Sequence, residues 1–150
     1  MPDIYRTRFA GKQPPEGIAV HCSDPRYQRH FQEFLDSHLG LENYGLIAVP
    51  GGPQFLTLLE YLPKFAWVGW RWLTFLVGVA QPRRAILIAH DECLWYRDGR
   101  FWQHRGDIHE RQLKDLRQVR AEILQRFPGV SVELYFARFE GEQAVFEALS

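Results

Sequence analysis

Two continuous apolar segments, residues 18–20 and 85–89, lie among segments of helical periodicity. Uninterrupted short apolar runs are typical of strands that are buried on both faces in a parallel sheet. Strands that alternate with helices predict an α/β domain with a mainly parallel β-sheet, flanked by helices and connected by right-handed crossovers.

The remaining elements follow from periodicity and from turn-forming residues. Helical patterns predict three helices, at residues 25–38, about 56–79 and 107–127, the last with Asp107 as its N-cap. Pro63 should start, kink or divide the second helix. Strand patterns add residues 44–49 and 130–139, and residues 144–149 could pair back as an edge strand. With 150 residues and 46% hydrophobic content, the chain fits a single domain over residues 1–150.

Charge and hydropathy restrict the partners that we expect. Eighteen basic residues balance eighteen acidic ones, so there is no net field to hold nucleic acid or an anionic membrane surface. Residues 1–6 lack the pattern of a secretory signal, so the cytoplasm is the expected location. Residues 55–80 are apolar, but Glu60, Lys64 and Arg71 interrupt them, which favours a buried or interface helix over a membrane span.

Aromatic residues are concentrated in the second predicted helix, at Trp67, Trp70, Trp72 and Phe75. Clusters of this kind belong more often to a core or to a protein interface than to a cofactor site. One sheet face can bury only one stripe of a helix, so we expect the cluster to lie in the interface of a homodimer or a larger homo-oligomer.

Three residues with soft or borderline donor atoms follow the predicted strands. Cys22 ends the first strand, His90 ends the strand at residues 85–89, and Cys93 completes an H-x-x-C pair. Ligands bind beyond the carboxyl ends of strands in such sheets, and three ligands of this type leave the fourth tetrahedral position of a zinc ion open. Ligand types alone do not distinguish this site from two buried core thiols and an ordinary histidine.

The residues around Cys22 add a second motif. Residues 22–26 read Cys-Ser-Asp-Pro-Arg, a C-x-D-x-R sequence. With the H-x-x-C pair, the chain resembles the β-class carbonic anhydrases, which carry C-x-D-x-R at the end of the first strand and H-x-x-C at the end of a later one. The family also has a glutamine ahead of a proline-containing segment, which Gln13 matches. The resemblance implies that Gln13 donates a hydrogen bond to bound substrate.

The resemblance further implies a zinc enzyme that interconverts carbon dioxide and bicarbonate. Cys22, His90 and Cys93 would hold Zn²⁺. Asp24 paired with Arg26 would orient the zinc-bound water or hydroxide, which matches the general ability of a fixed carboxylate to orient a nucleophile. The expected partners are small molecules and a second copy of the chain.

Two departures from the family pattern leave alternatives open. Residues 49–52 read Val-Pro-Gly-Gly where the family has Arg-Asn-Ala-Gly, and Leu94 follows Cys93 where the family has glycine. These changes motivate a non-catalytic zinc-binding or regulatory protein of the same fold. A second alternative is a zinc hydrolase that acts on carbonyl sulfide or carbon disulfide. It would use the same zinc hydroxide as nucleophile and would attack a different electrophile.

Overall fold

A computed structural model describes residues 4–7, 14–41, 43–57, 62–98 and 106–150. Within these residues one sheet of five strands forms the centre of the protein. The strands are β1 (Gly17–Cys22), β2 (Tyr44–Val49), β3 (Arg84–His90), β4 (Ser131–Glu140) and β5 (Gln143–Leu149). Their order in the sheet is β2-β1-β3-β4-β5.

The sheet is parallel except at one edge. β1 pairs in parallel with β2 and β3, and β3 pairs in parallel with β4. β5 pairs antiparallel with β4, so the C-terminal segment is an edge strand. The predictions of a mainly parallel α/β sheet and of an edge strand at residues 144–149 are therefore confirmed. Since β1 and β3 are neighbours and run in the same direction, both end at the same edge of the sheet.

Four α-helices flank the sheet within the described residues: α1 (Gln28–Glu33), α2 (Pro63–Ala80), α3 (Leu94–Arg97) and α4 (Ile108–Arg126). A π-helical turn, Phe34–His38, continues α1. Asp107 caps α4 as predicted, because its side chain accepts the backbone N–H of His109 at 2.8 Å. Of the described helices, none combines the length and the apolar character that crossing a bilayer would need.

Pro63 starts the second helix, which is one of the outcomes predicted for it, and the α-helix therefore begins after residue 56. A 3-10 helix occupies Gly52–Leu56, and the α-helix starts at Pro63, in the first turn where a proline is tolerated. The short helix α3 was not predicted, because a single turn of four residues is too short to show a helical period.

Two apolar clusters cover the two faces of the sheet. Successive residues of a strand point to opposite faces. Val20 and Leu87 accordingly join the cluster that α2 and α4 cover, whereas Ala19 and Ile86 join the cluster under α1. Burial of both faces explains the continuous apolar runs in β1 and β3.

The aromatic residues of α2 divide between core and surface. Trp70 is 6% exposed, and its Nε1 donates a hydrogen bond of 3.1 Å to the carbonyl of Leu56. The prediction that Trp70 lies in a subunit interface is therefore wrong, because that side of α2 packs on the sheet. Trp67, Trp72 and Phe75 are 62%, 49% and 66% exposed in the single chain.

Candidate metal centre

The two metal-type motifs meet because β1 and β3 are neighbouring parallel strands. In their register His21 lies opposite Ile88, so Cys22 and His90 come just beyond the last paired residues. Cys93 lies in the turn that follows His90. Cys22, His90 and Cys93 are 5%, 1% and 1% exposed. The structure thus brings together all three residues that the sequence indicated as metal ligands.

The spacing of the three side chains suits a tetrahedral metal ion. One ligand atom from each of the three residues lies within 4.8 Å of the other two. The two sulfur atoms are 3.8 Å apart. Two sulfurs that each lie about 2.3 Å from one tetrahedral zinc ion are also about 3.8 Å apart. The thiols therefore hold the separation that a shared zinc ion requires.

The ring of His90 is oriented for metal binding. Its Nδ1 lies 2.7 Å from the carbonyl oxygen of Asp91, so Nδ1 carries the proton and donates. The lone pair is then on Nε2, which is buried and has no hydrogen-bond partner among the described residues. A buried nitrogen without a partner is costly, and a metal ion is the partner that a histidine fixed through Nδ1 is suited to bind. The residues present fit a bound zinc ion.

The two thiols influence each other strongly. A hydrogen bond between the sulfurs lowers the pKa of Cys93 to about 7 and raises the pKa of Cys22 to about 12, with burial adding to the rise at Cys22. Thiols bind metal as thiolates, so metal uptake at this site releases protons.

The turn after β2 packs directly on Cys22. The backbone N–H of Gly51 donates to Cys22 Sγ at 3.3 Å. Gly51 and Gly52 have φ values of 78° and 55°, and a Cβ at Gly52 would lie 2.8 Å from the backbone nitrogen of Cys22. Residues 49–52 lack the polar side chains of the family pattern, but their backbone provides a donor to a candidate ligand.

Asp24 and Arg26 form a close ion pair beside the metal ligands. Arg26 Nη2 donates to Asp24 Oδ2 at 2.7 Å, and Arg26 Nε donates to Oδ1 at 3.0 Å. These hydrogen bonds lower the pKa of Asp24, although its burial acts in the opposite direction. Arg26 Nη2 also donates to the backbone carbonyl of Glu92 at 3.0 Å. The pair therefore contacts both loops that carry candidate ligands.

A cleft of about 300 Å³ opens above these residues. Its lining consists of Cys22, Ser23, Asp24, Pro25, Arg26, Pro50, Leu94 and Trp95. Leu94 lines the cleft and is 66% exposed, whereas Cys93 is buried. Pro50 belongs to the segment 49–52 that departs from the family pattern, whereas Trp95 was not identified from the sequence, because no motif there connects it to the loop after β2.

Two further polar residues near the metal centre, Gln112 and Asp115, were not predicted as site residues, although their positions carry a signal in the sequence. Gln112 and Asp115 are each 2% exposed and lie on the same helical stripe as the apolar residues Leu116 and Val119. Polar residues within an inward-facing stripe indicate a buried hydrogen-bond network.

Gln13, the residue expected to donate a hydrogen bond to the substrate, lies outside the described residues.

No protein-family model matches the sequence, and neither does any curated protein. Solved structures of carbonic anhydrases do match the fold. The carbonic anhydrase from Glaciozyma antarctica aligns at a TM-score of 0.54 and 17% identity, over 89% of this chain and 83% of that one. For the carbonic anhydrase from Streptococcus mutans the TM-score is 0.56 and the identity 13%, over 94% and 87% of the two chains.

A solved structure that is described as a β-carbonic anhydrase also matches the fold of this chain. The β-carbonic anhydrase isoform I from Trichomonas vaginalis aligns at a TM-score of 0.50 and 13% identity, over 94% of this chain and 87% of that one. At such low identity the match concerns the fold, and the parallel sheet with its flanking helices agrees with it. This chain therefore has the α/β fold of the β-carbonic anhydrases.

Proposed function

We propose that the protein binds one zinc ion through Cys22, His90 and Cys93 and catalyses the reversible hydration of carbon dioxide to bicarbonate. The observation that carries the proposal is the buried ring of His90, whose Nδ1 bonds the Asp91 carbonyl and whose Nε2 has no partner among the described residues. The likeness to the fold of carbonic anhydrases supports the choice of reaction.

The donor set favours zinc over other common ions. Two thiolates with one imidazole suit zinc better than magnesium or calcium, which prefer oxygen ligands. Three protein ligands leave one coordination position open. Zinc in such a site lowers the pKa of a bound water to about 7 and so supplies a hydroxide nucleophile near neutral pH.

Asp24 and Arg26 would orient the nucleophile. The hydrogen bonds from Arg26 favour the ionised carboxylate of Asp24 and fix its orientation in the lining of the cleft. Asp24 Oδ2 accepts a hydrogen bond of 2.7 Å from Arg26 Nη2 and a longer one of 3.3 Å from Nε, which Nε shares with Oδ1, so a proton donor in the cleft could take the place of the longer contact. A nucleophile that donates its hydrogen to Asp24 keeps a lone pair for attack on the carbon atom.

The walls of the cleft suit an uncharged substrate. Pro50, Leu94 and Trp95 present mainly apolar surface beside the Asp24 carboxylate. Carbon dioxide is small and uncharged, and its hydration requires no leaving group. We also propose that Gln13 donates a hydrogen bond to the substrate, which rests on the family resemblance alone.

The direct test is a stopped-flow assay of carbon dioxide hydration on protein whose zinc content has been measured. We expect turnover in zinc-loaded protein and only the uncatalysed rate in Cys22→Ser. Zinc-loaded protein that hydrates no carbon dioxide but hydrolyses carbonyl sulfide would identify the alternative hydrolase. Full zinc occupancy with neither activity would favour a non-catalytic protein of this fold.

The active unit, we propose, is a homodimer in the cytoplasm. Along one side of α2, Phe65, Trp72, Phe75 and Val79 are between 49% and 66% exposed. An apolar stripe of this kind is typical of a protein interface. Trp72 lines a groove that shares Pro50 and Trp95 with the metal-site cleft, so a second copy would lie next to that cleft. A reducing compartment would keep both cysteines as thiols, the form in which they bind zinc.

A further inference from the structure

The inward face of α4 contributes two polar side chains next to the metal centre. Gln112 and Asp115 are both 2% exposed, and their spacing of three residues places them on one side of the helix. A polar group buried this deeply is costly unless its hydrogen bonds are satisfied. The hydrogen-bond partners of Gln112 and Asp115 therefore identify the polar contacts that this face of α4 makes.

Gln112 contacts the H-x-x-C pair through the backbone of His90. Its Nε2 donates to the carbonyl oxygen of His90 at 2.8 Å. That carbonyl is at the end of β3, directly before the turn that leads to Cys93. The hydrogen bond fixes where the turn begins.

Asp115 acts on the other end of the same turn. It accepts hydrogen bonds from the hydroxyl of Tyr96 at 2.8 Å, from Nε of Arg111 at 2.9 Å and from Nε2 of Gln54 at 3.3 Å. Burial raises the pKa of Asp115, and the same three donors oppose that rise. Tyr96 belongs to the helix α3, which starts directly after Cys93, so its anchoring restrains the position of the Cys93 backbone.

A second arm of the network leads to Cys22. The Oε1 of Gln54, whose amide group binds Asp115, accepts a hydrogen bond of 2.8 Å from Nε1 of Trp95. The Trp95 ring packs on Gly51 so closely that a Cβ there would overlap it. Gly51 in turn donates its N–H to Cys22 Sγ. One carboxylate is thus connected to the surroundings of both sulfurs.

We propose that Asp115 is a positioning residue of the metal centre, which sets the separation of Cys22 and Cys93 through Tyr96 on one side and through Gln54 and Trp95 on the other. The inference rests on the zinc-binding part of the proposed function. Asp115 contacts neither substrate nor metal, and it acts by holding the two ligand-bearing segments at the distance that a zinc ion requires.

The substitution Asp115→Asn tests this role with little change of shape. Oδ1 and Oδ2 of Asp115 both accept hydrogen bonds. An amide replaces one of these oxygens with an NH₂ group, so in either orientation at least one donor loses its acceptor. Tyr96→Phe removes a single hydroxyl from the same network. Glu122→Gln is the matched control, because it makes the same change on α4 at an ion pair with Arg126, away from the metal centre.

Zinc affinity is measured by competition with a chromophoric chelator, and ligand geometry by the visible spectrum of the cobalt(II)-substituted protein. We expect Asp115→Asn and Tyr96→Phe to lower zinc affinity by roughly 10- to 100-fold, the range for residues that orient metal ligands. Their cobalt spectra should differ from that of the wild type, whereas Glu122→Gln should match the wild type in both measurements.

If Asp115 only stabilised the fold and did not position the metal ligands, a different result would be expected. The urea midpoint of metal-free Asp115→Asn would then fall while zinc affinity and the cobalt spectrum stay unchanged, and that outcome would overturn the inference. If Asp115→Asn does not fold, Tyr96→Phe decides by the same criteria. Wild-type protein that takes up neither metal would overturn the zinc proposal and this inference with it, whereas equal affinities in wild type and variants would overturn this inference alone.

Discussion

Arg26 donates a hydrogen bond of 3.0 Å from Nη2 to the backbone carbonyl of Glu92, and so joins the loop after β1 to the turn between His90 and Cys93. The same nitrogen lies 2.7 Å from Oδ2 of Asp24. Glu92 has a φ of 53°, a left-handed conformation that costs a residue with a side chain about 1–2 kcal/mol. The contact stabilises that conformation and makes Arg26 part of both loops.

Asp24 and Arg26 should therefore act as a unit in turnover. We expect Asp24→Asn and Arg26→Ala each to lower kcat/KM for carbon dioxide by roughly 10- to 100-fold while the protein keeps most of its zinc, since neither residue is a proposed ligand. The double variant should lose little more than either single one, because each substitution already breaks the pair. Stopped-flow kinetics on samples of known zinc content measure both effects, and strictly additive losses would show that the residues have separate roles.

Removing either thiol should remove the metal. Cys22→Ser and Cys93→Ser replace a thiolate with a weak neutral ligand, so we expect most of the zinc to be lost from protein purified without chelator. Elemental analysis should give about one zinc per chain for the wild type and for His30→Gln, a control that removes an imidazole outside the cluster. Full occupancy in both serine variants would contradict the assignment of ligands.

The turn at Gly52 should tolerate no side chain. Gly52→Ala adds a Cβ that would lie 2.8 Å from the Cys22 nitrogen at a φ of 55°, so we expect a loss of more than about 2 kcal/mol in the free energy of unfolding and weaker zinc binding. In Gly141→Ala the added Cβ would have no atom within 4 Å, at a φ of 59°. This variant therefore measures the cost of the left-handed backbone alone, about 1–2 kcal/mol in the free energy of unfolding. Gly129→Ala, which also meets nothing within 4 Å, should be close to neutral. Urea unfolding measures all three, and equal losses in Gly52→Ala and Gly141→Ala would show that contact with Cys22 is unimportant.

The exposed stripe of α2 should control assembly. Trp72→Glu or Phe75→Glu places a charge in the proposed dimer contact, so we expect either variant to sediment as a monomer. Leu124 is an exposed apolar residue of α4, outside this stripe, and Leu124→Glu should leave the dimer intact. Sedimentation velocity at micromolar concentration distinguishes these results. Wild-type protein that sediments as a stable monomer there would exclude the proposed dimer.

An ion pair across β3 and β4 should give a defined pH dependence of stability. Arg84 lies 2.7 Å from Glu133 and lowers its pKa by hydrogen bonding. A lowered folded-state pKa adds stability above the unfolded value of about 4.3, and this contribution is lost as the pH falls through the folded-state pKa. In metal-free protein, Glu133→Gln should therefore be less stable than the wild type at pH 7, by no more than about 1 kcal/mol, and the difference should shrink below about pH 4. A gap in urea midpoints that stays constant with pH would contradict this.

The sequence alone predicted the elements whose signals are local. The apolar runs of β1 and β3 predicted strands buried on both faces, and the side chain of Asp107 predicted the start of α4. Because parallel neighbours end at one edge, those strands also predicted that Cys22 and His90 would lie close together. These inferences depend on strand period and capping, which a short segment carries by itself.

Contacts between distant segments were decided only by the tertiary structure. Helical periodicity shows that Trp70 and Trp72 lie on different sides of α2, but only packing on the sheet determines that Trp70 is buried and Trp72 exposed. The inward positions of Gln112 and Asp115 were visible in the sequence, whereas their partners, His90 and Tyr96, were not. The physical reason is that a hydrogen bond or a sulfur separation depends on angstrom-scale placement of segments far apart in the chain, and periodicity within one segment carries no information about that distance.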